Sequence, residues 1–177
     1  MKITKIEPKT YTYELVPNKD DEEYTSCMWA RFTFDCDNGI LNINSDAGNY
    51  AYKWGYDVHE DFMHLMSRIN KYYLLDKLSK RSVFLLDKSK KETIKCVEEN
   101  GWECYDIESE EDWEEIKQNI LDIDVRTEES FYCEIDDIFP YIDWESIIIE
   151  KDYPCGAKVI ADLFEKYLQP KIKEEFS

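Results

Sequence analysis

Two histidines, His59 and His64, lie within a few residues of the carboxylates Asp57, Glu60 and Asp61. An imidazole beside a carboxylate can act as a general acid–base pair or hold a divalent cation. A five-residue separation turns the two imidazoles to different sides of a helix. Asp57 and Asp61 are also ordinary helix-initiating residues. His59 and His64 are therefore catalytic candidates set against a purely structural reading. The six cysteines, at 27, 36, 96, 104, 133 and 155, contain no C-x-x-C pair. With zinc-ligand spacing absent, no metal is expected, and most of the cysteines read as small buried hydrophobes in a reducing compartment. No cofactor is expected either. The chain has no phosphate loop, no G-x-G-x-x-G and no G-x-S-x-G, and its five glycines are too few to cradle a nucleotide extensively.

Three other groups of residues suit recognition rather than catalysis. Trp29 and Arg31 share one face of a period-two stretch, and an indole beside a guanidinium can stack on unpaired bases. The competing expectation is a sheet face covered by a later helix. Arg68, Lys71, Lys80 and Arg81 open a basic segment over 68–95, with Tyr72 and Tyr73 among them. Such a segment can track a phosphate backbone, or can equally form the solvent side of two helices. Glu110, Glu111, Asp112, Glu114 and Glu115 crowd one short stretch and imitate a phosphate chain, a surface suited to a basic protein.

The net charge of −18 is unevenly distributed. Residues 1–95 hold 15 Lys/Arg and 15 Asp/Glu, whereas residues 96–177 hold 7 and 25, a net of −18. The division implies two working surfaces, one acidic and one neutral to basic.

Hydrophobic periodicity sets the elements that must carry these residues. Tyr11, Tyr13 and Leu15 alternate. Met28, Ala30, Phe32, Phe34 and Cys36 are expected on the core face, with Cys27, Trp29 and Arg31 on the other. Asp37-Asn38-Gly39 predicts a hairpin turn, and Leu41, Ile43, Tyr50, Tyr52 and Trp54 continue an antiparallel meander. From Phe62 the period becomes helical through Leu65, Met66 and Ile69, with a second helix after a break near Asn70. Ser89 to Glu92 has capping-box form for a helix ending at Asn100-Gly101. Trp102 to Ile107 is expected as a strand, Ser109 as a helix start, and Pro140 and Pro170 as helix stops. Strands first and helices afterwards predict an α+β fold. Residues 1–177 are expected to form a single domain, with a strand-rich region over 1–55 and a mainly helical region over 56–177. With no bilayer-length apolar run and no signal-like N-terminus, the expected setting is the bacterial host cytoplasm without membrane contact.

The segment Ser45-Asp46-Ala47-Gly48-Asn49-Tyr50-Ala51-Tyr52-Lys53-Trp54-Gly55, the helix Phe62 to Asn70 and the strand-rich start resemble a family of small proteins from phages and mobile elements of Firmicutes. That family includes a type II anti-CRISPR protein acting on the Cas9 guide RNA. The resemblance implies a Cas9 inhibitor whose partners are Cas9 and its guide RNA, acting by Cas9-dependent truncation of the guide with the N-terminal β-hairpin involved. If the chain itself cleaves RNA, Lys5, Lys9, Tyr11 and Tyr13 on the first strand are candidates for orienting or charge-stabilising roles. Two binding-only alternatives remain open at this point: an acidic immunity protein neutralising a basic toxin, and a nucleic-acid-mimicking inhibitor.

Overall fold

Alternating apolar residues fold at the start of the chain as their period requires. A computed structural model describes residues 1, 3–5, 7–55 and 61–176. In it β1 (Thr10–Leu15), β2 (Ala30–Asp35), β3 (Ile40–Ser45) and β4 (Tyr50–Lys53) form an antiparallel meander in the order β1-β2-β3-β4. The register sets Tyr13 opposite Phe32 and Phe32 opposite Ile43, with Phe34 between Tyr11 and Leu41. Side chains alternate across a strand, so Phe32, Phe34, Leu41 and Ile43 leave by one face, where all four are buried. The β2–β3 turn carries Gly39 at φ +62°, a conformation that residues with a Cβ resist.

Helices close over that face. α1 (Phe62–Arg68) contributes Phe62, Met63 and Met66, and the C-terminal segment adds Ile160, Leu163, Phe164, Leu168 and Ile172 to the same core. Asp61 caps α1 through the Met63 amide, and Asn70 caps α2 (Lys71–Leu78) through the Tyr73 amide. These caps account for the chain break expected near Asn70. The fold is α+β.

By its contacts the chain divides into two compact units. One comprises Met1–Lys80 with Tyr153–Ser177, and the other is the insertion Arg81–Asp152. Within the insertion the two chain ends are tied side by side. β5 (Val83–Phe84) runs antiparallel to β6 (Lys151–Asp152), the Ser82 amide donates to the Asp152 carbonyl at 3.0 Å, and the Leu85 amide to the Glu150 carbonyl at 2.9 Å. Beyond this ribbon, α3 (Leu86–Asn100), α4 (Glu110–Asp122) and α5 (Glu128–Ile138) enclose Val97, Trp113, Ile120, Phe131, Ile135 and Phe139. Ser109 and Thr127 cap α4 and α5. The other unit ends with α6 (Cys155–Leu163), a π turn over Phe164–Leu168 and α7 (Gln169–Phe176).

Four expectations about local structure give way to tertiary demands. The capping box at Ser89 does not form. α3 begins three residues earlier, and the buried Ser89 hydroxyl accepts the Glu150 amide at 2.9 Å, holding the extended segment that precedes β6. The strand expected at 102–107 is a 3-10 turn over Trp102–Tyr105, which buries Tyr105 so that its hydroxyl meets Ser146 at 2.8 Å. At the start of β2 the alternation shifts, with Cys27 buried and Met28 exposed. The cause is Asp46, whose carboxylate accepts the amides of Met28 and Trp29 and the Cys27 thiol, and so turns the chain before the strand begins. Pro170 does not stop the last helix. The Gln169 amide bonds five residues back to Phe164, and this widened turn relieves the clash a proline ring makes with the preceding turn.

Candidate functional site

The sheet of the first unit leaves one face open. Thr12, Glu14, Arg31, Asn42 and Asn44 are exposed on the side opposite the phenylalanines. Trp29 precedes β2 with 39% of its surface exposed. The Arg31 guanidinium donates to Glu14 at 2.9 Å, and Thr12 meets Thr33 at 3.4 Å. Among the described residues of this unit no helix covers Trp29 and Arg31, although the Arg31 charge is already matched by Glu14 on the neighbouring strand. A half-exposed pair of this kind contributes little to stability.

Tyr11 and Tyr13 of β1 pack against α7, whereas Lys5 and Lys9, expected on the same strand, precede it. The Tyr13 hydroxyl donates to Glu175 on α7 at 2.5 Å, and burial, reinforced by that carboxylate, pushes its pKa well above the ordinary tyrosine value. A phenol held protonated in this way is a poor base. Tyr11 packs edge-on against Phe176, with ring centroids 4.9 Å apart. The Lys9 ammonium lies 5.3 Å over the Tyr11 ring, and its hydrogen bond to Tyr11 raises its pKa. Lys5 pairs with Glu7. His64 is exposed on α1. His59, Asp57 and Glu60 lie outside the described residues, and Asp61 is occupied as the α1 cap. Among the described residues, no three His, Cys, Asp or Glu side chains converge as a metal ion would require.

The basic segment is divided by the fold. Arg68 ends α1, Lys71 opens α2 and bonds Asp162 at 2.7 Å, and Lys80 is the last residue before the insertion that Arg81 begins. Trp29 and Arg31 belong to the open sheet face, whereas Arg68 and Lys71 belong to the helical layer, so the two groups do not form one patch. Further along, Lys90 is buried and donates to the Leu121 carbonyl at 2.7 Å. A feature not anticipated is the aromatic setting of Lys77. Its ammonium sits 5.4 Å from the Tyr52 ring and 5.1 Å from Tyr73, whose hydroxyl accepts the Trp54 indole N–H.

The insertion carries most of the charge. It holds 8 Lys/Arg and 23 Asp/Glu, a net of −15, while the rest of the chain holds 14 and 17, a net of −3. The acidity is thus narrower than a whole C-terminal half. Residues 153–177 are balanced at 4 and 4 and return to the first unit, whereas residues 96–150 hold 20 acidic and 2 basic residues. Of those two, Lys117 is committed internally, bonding Glu114 at 2.5 Å and Glu98 at 3.4 Å. The expected partner-binding residues therefore differ in role. Asp112 exchanges hydrogen bonds with Ser109 at the α4 cap and Glu114 holds Lys117, while Glu110, Glu111 and Glu115 stand exposed on α4.

A family model described as a phage family, Phage_phiTE_072, matches residues 1–174. The chain belongs to this phage protein family. Neither the curated proteins nor the solved structures contain a match. Among the described residues, no helix is long and apolar enough to cross a membrane.

In this phage-family protein the acidic unit has an aromatic feature that periodicity did not reveal. Tyr141 and Trp144 are 72% and 69% exposed, and the Trp144 ring stacks on Tyr132 at 5.3 Å. They lie in Pro140-Tyr141-Ile142-Asp143-Trp144-Glu145, where aromatics alternate with carboxylates beyond the end of α5. That alternation, outside any helical stripe, was the available signal.

Proposed function

We propose that this phage protein acts on the host by docking its acidic insertion onto a positively charged, nucleic-acid-handling protein. The guide-RNA channel of Cas9, which the family resemblance implies, is the specific target. The single observation behind this reading is the charge of residues 96–150, with 20 acidic residues against 2 basic. A channel that holds an RNA–DNA duplex through its backbone presents the complementary field, and occupation by carboxylates excludes the nucleic acid. The exposed Trp29 and Arg31 support a second contact, with guide RNA at the open sheet face. Holding the RNA is favoured over cutting it, because the Tyr13 hydroxyl is bonded to Glu175 and the Tyr11 ring packs on Phe176.

The test combines purified protein, Cas9 and labelled guide RNA, read on a denaturing gel and in a DNA-cleavage assay. Intact guide with blocked DNA cleavage is the expected result. A shortened guide would replace occlusion by truncation. Full DNA cleavage with unchanged guide would remove Cas9 as the target, and a basic toxin would become the next partner to assay.

A further inference from the structure

The insertion carries an open surface pocket of about 390 Å³ whose lining combines three kinds of surface. Ile107, Ile116 and Phe139 are apolar. Asp106, Glu108 and Asp112 place carboxylates on its wall, and Tyr141 supplies a ring with 72% of its surface exposed. Apolar surface, carboxylates and an open aromatic ring suit one side chain above others. An arginine offers an alkyl stem for the apolar wall, a planar fork for carboxylates and a weakly hydrated cation for a ring face. Lysine offers only the stem and a point charge, and a carboxylate or phosphate ligand would be repelled. Asp112 can still accept here, since the Ser109 hydroxyl donates to its Oδ2 alone and its second bond to Ser109 is made by the backbone amide, leaving further lone-pair positions on the carboxylate.

We infer that this surface pocket binds arginine and is the place where the acidic insertion anchors a basic protein partner. The inference rests on the proposed docking of that insertion and adds a specific anchor to it. A diffuse field orients a partner and speeds encounter, but a desolvated aromatic and arginine contact fixes register and slows dissociation. The carboxylates of the pocket draw the cation in, and Tyr141 distinguishes arginine from a generic positive charge.

The experiment titrates the whole ¹⁵N-labelled protein with two capped nonapeptides of equal charge, one alternating arginine and leucine, the other alternating lysine and leucine. Chemical-shift changes are expected to centre on Ile107, Ile116 and Tyr141, with the arginine peptide bound more tightly. Tyr141→Ala is expected to weaken the arginine peptide by about fivefold while leaving the lysine peptide within about twofold. Because Tyr141 is exposed, this variant should retain the wild-type amide spectrum elsewhere. Glu115→Gln on α4, outside the pocket, serves as the charge control and should weaken both peptides equally. Equal binding of both peptides with no effect of Tyr141→Ala would overturn the pocket while leaving electrostatic docking intact. Failure of wild-type protein to bind the arginine peptide would also overturn it, and the Cas9 assay then decides separately whether docking itself fails.

Discussion

The two units have comparable aromatic and aliphatic cores but different surfaces. The first buries Phe32, Phe34, Met63, Met66 and Phe164 between a sheet and helices, and its net charge is −3. The second buries Trp113, Ile120, Phe131, Ile135 and Phe139 among helices, and its net charge is −15. Self-repulsion opposes compaction in the second unit, so its interior must hold what its surface pushes apart. Its buried polar bonds join distant stretches of chain: Ser89 to Glu150, Thr93 to Ile148, Lys90 to Leu121 and Tyr105 to Ser146. A surface so one-sided in charge carries a stability cost that a balanced surface does not.

The largest effects should come from the cores. Phe131→Ala is expected to destabilise the insertion by about 3–5 kcal/mol. Hydrogen exchange should accelerate in α3, α4 and α5 while β2 and β3 keep their protection. Equal acceleration everywhere would mean that the units unfold as one domain and would end the comparison. Next comes Gly156→Ala. A Cβ there would sit 2.0 Å from the Ala47 carbonyl, where α6 meets the β3–β4 turn, so a loss of about 1–3 kcal/mol is expected by chemical denaturation, confined to the first unit.

Raising salt from about 0.05 to 0.5 M should stabilise the insertion by about 1 kcal/mol and the first unit by less, because screening weakens like-charge repulsion. Equal shifts in the two units would show that the charges of the insertion are spread too widely to matter.

The pH response sharpens the contrast from the other side, since the first unit contains groups whose titration is tied to its fold. Burial pushes the Cys27 thiol up to about 11, so its contribution is complete below the ordinary thiol value and is lost as pH rises through 11. Asp46 moves the opposite way. The Met28 amide, foremost among its donors, lowers its pKa, so its contribution is present above the ordinary carboxylate range and is lost as pH falls through the lowered value. Thermal melts of Cys27→Ala and Asp46→Asn should flatten the alkaline and acid limbs respectively. An unchanged limb in either variant would refute the assignment. The smallest effect is expected for Trp29→Ala with Arg31→Ala, which should leave stability within about 0.5 kcal/mol by urea denaturation. A larger loss would give the open face a structural task and weaken its candidacy as an RNA contact.

Much of this architecture was legible in local pattern. The period-two run through Phe32 and Phe34, the Asp37-Asn38-Gly39 turn, the break near Asn70 and the helix start at Ser109 follow from side-chain alternation, permitted φ and unpaired helix amides, all decided within a few residues. Most of the cysteines are expected to be buried, yet only Cys27 is, and Cys104, Cys133 and Cys155 are exposed. The misread elements share one property. Ser89, Cys27, Tyr105 and Pro170 are settled by partners far along the chain or by a shift in helical register, which no short window contains.

The same distinction applies to the candidate surfaces. The sequence by itself determined the excess of carboxylates, the α+β class and the shared face of Trp29 and Arg31, since charge counts and strand alternation need no long-range information, whereas the exposure of that face did not follow from them. Only the tertiary structure decided that residues 153–177 return to the first unit, which confines the acidity to an insertion. It also decided that Lys71, Lys90 and Lys117 have internal partners, and that Tyr141 shares a pocket with Asp106 and Glu108. Each depends on which distant segments meet, and that follows from how two hydrophobic cores close rather than from any local preference.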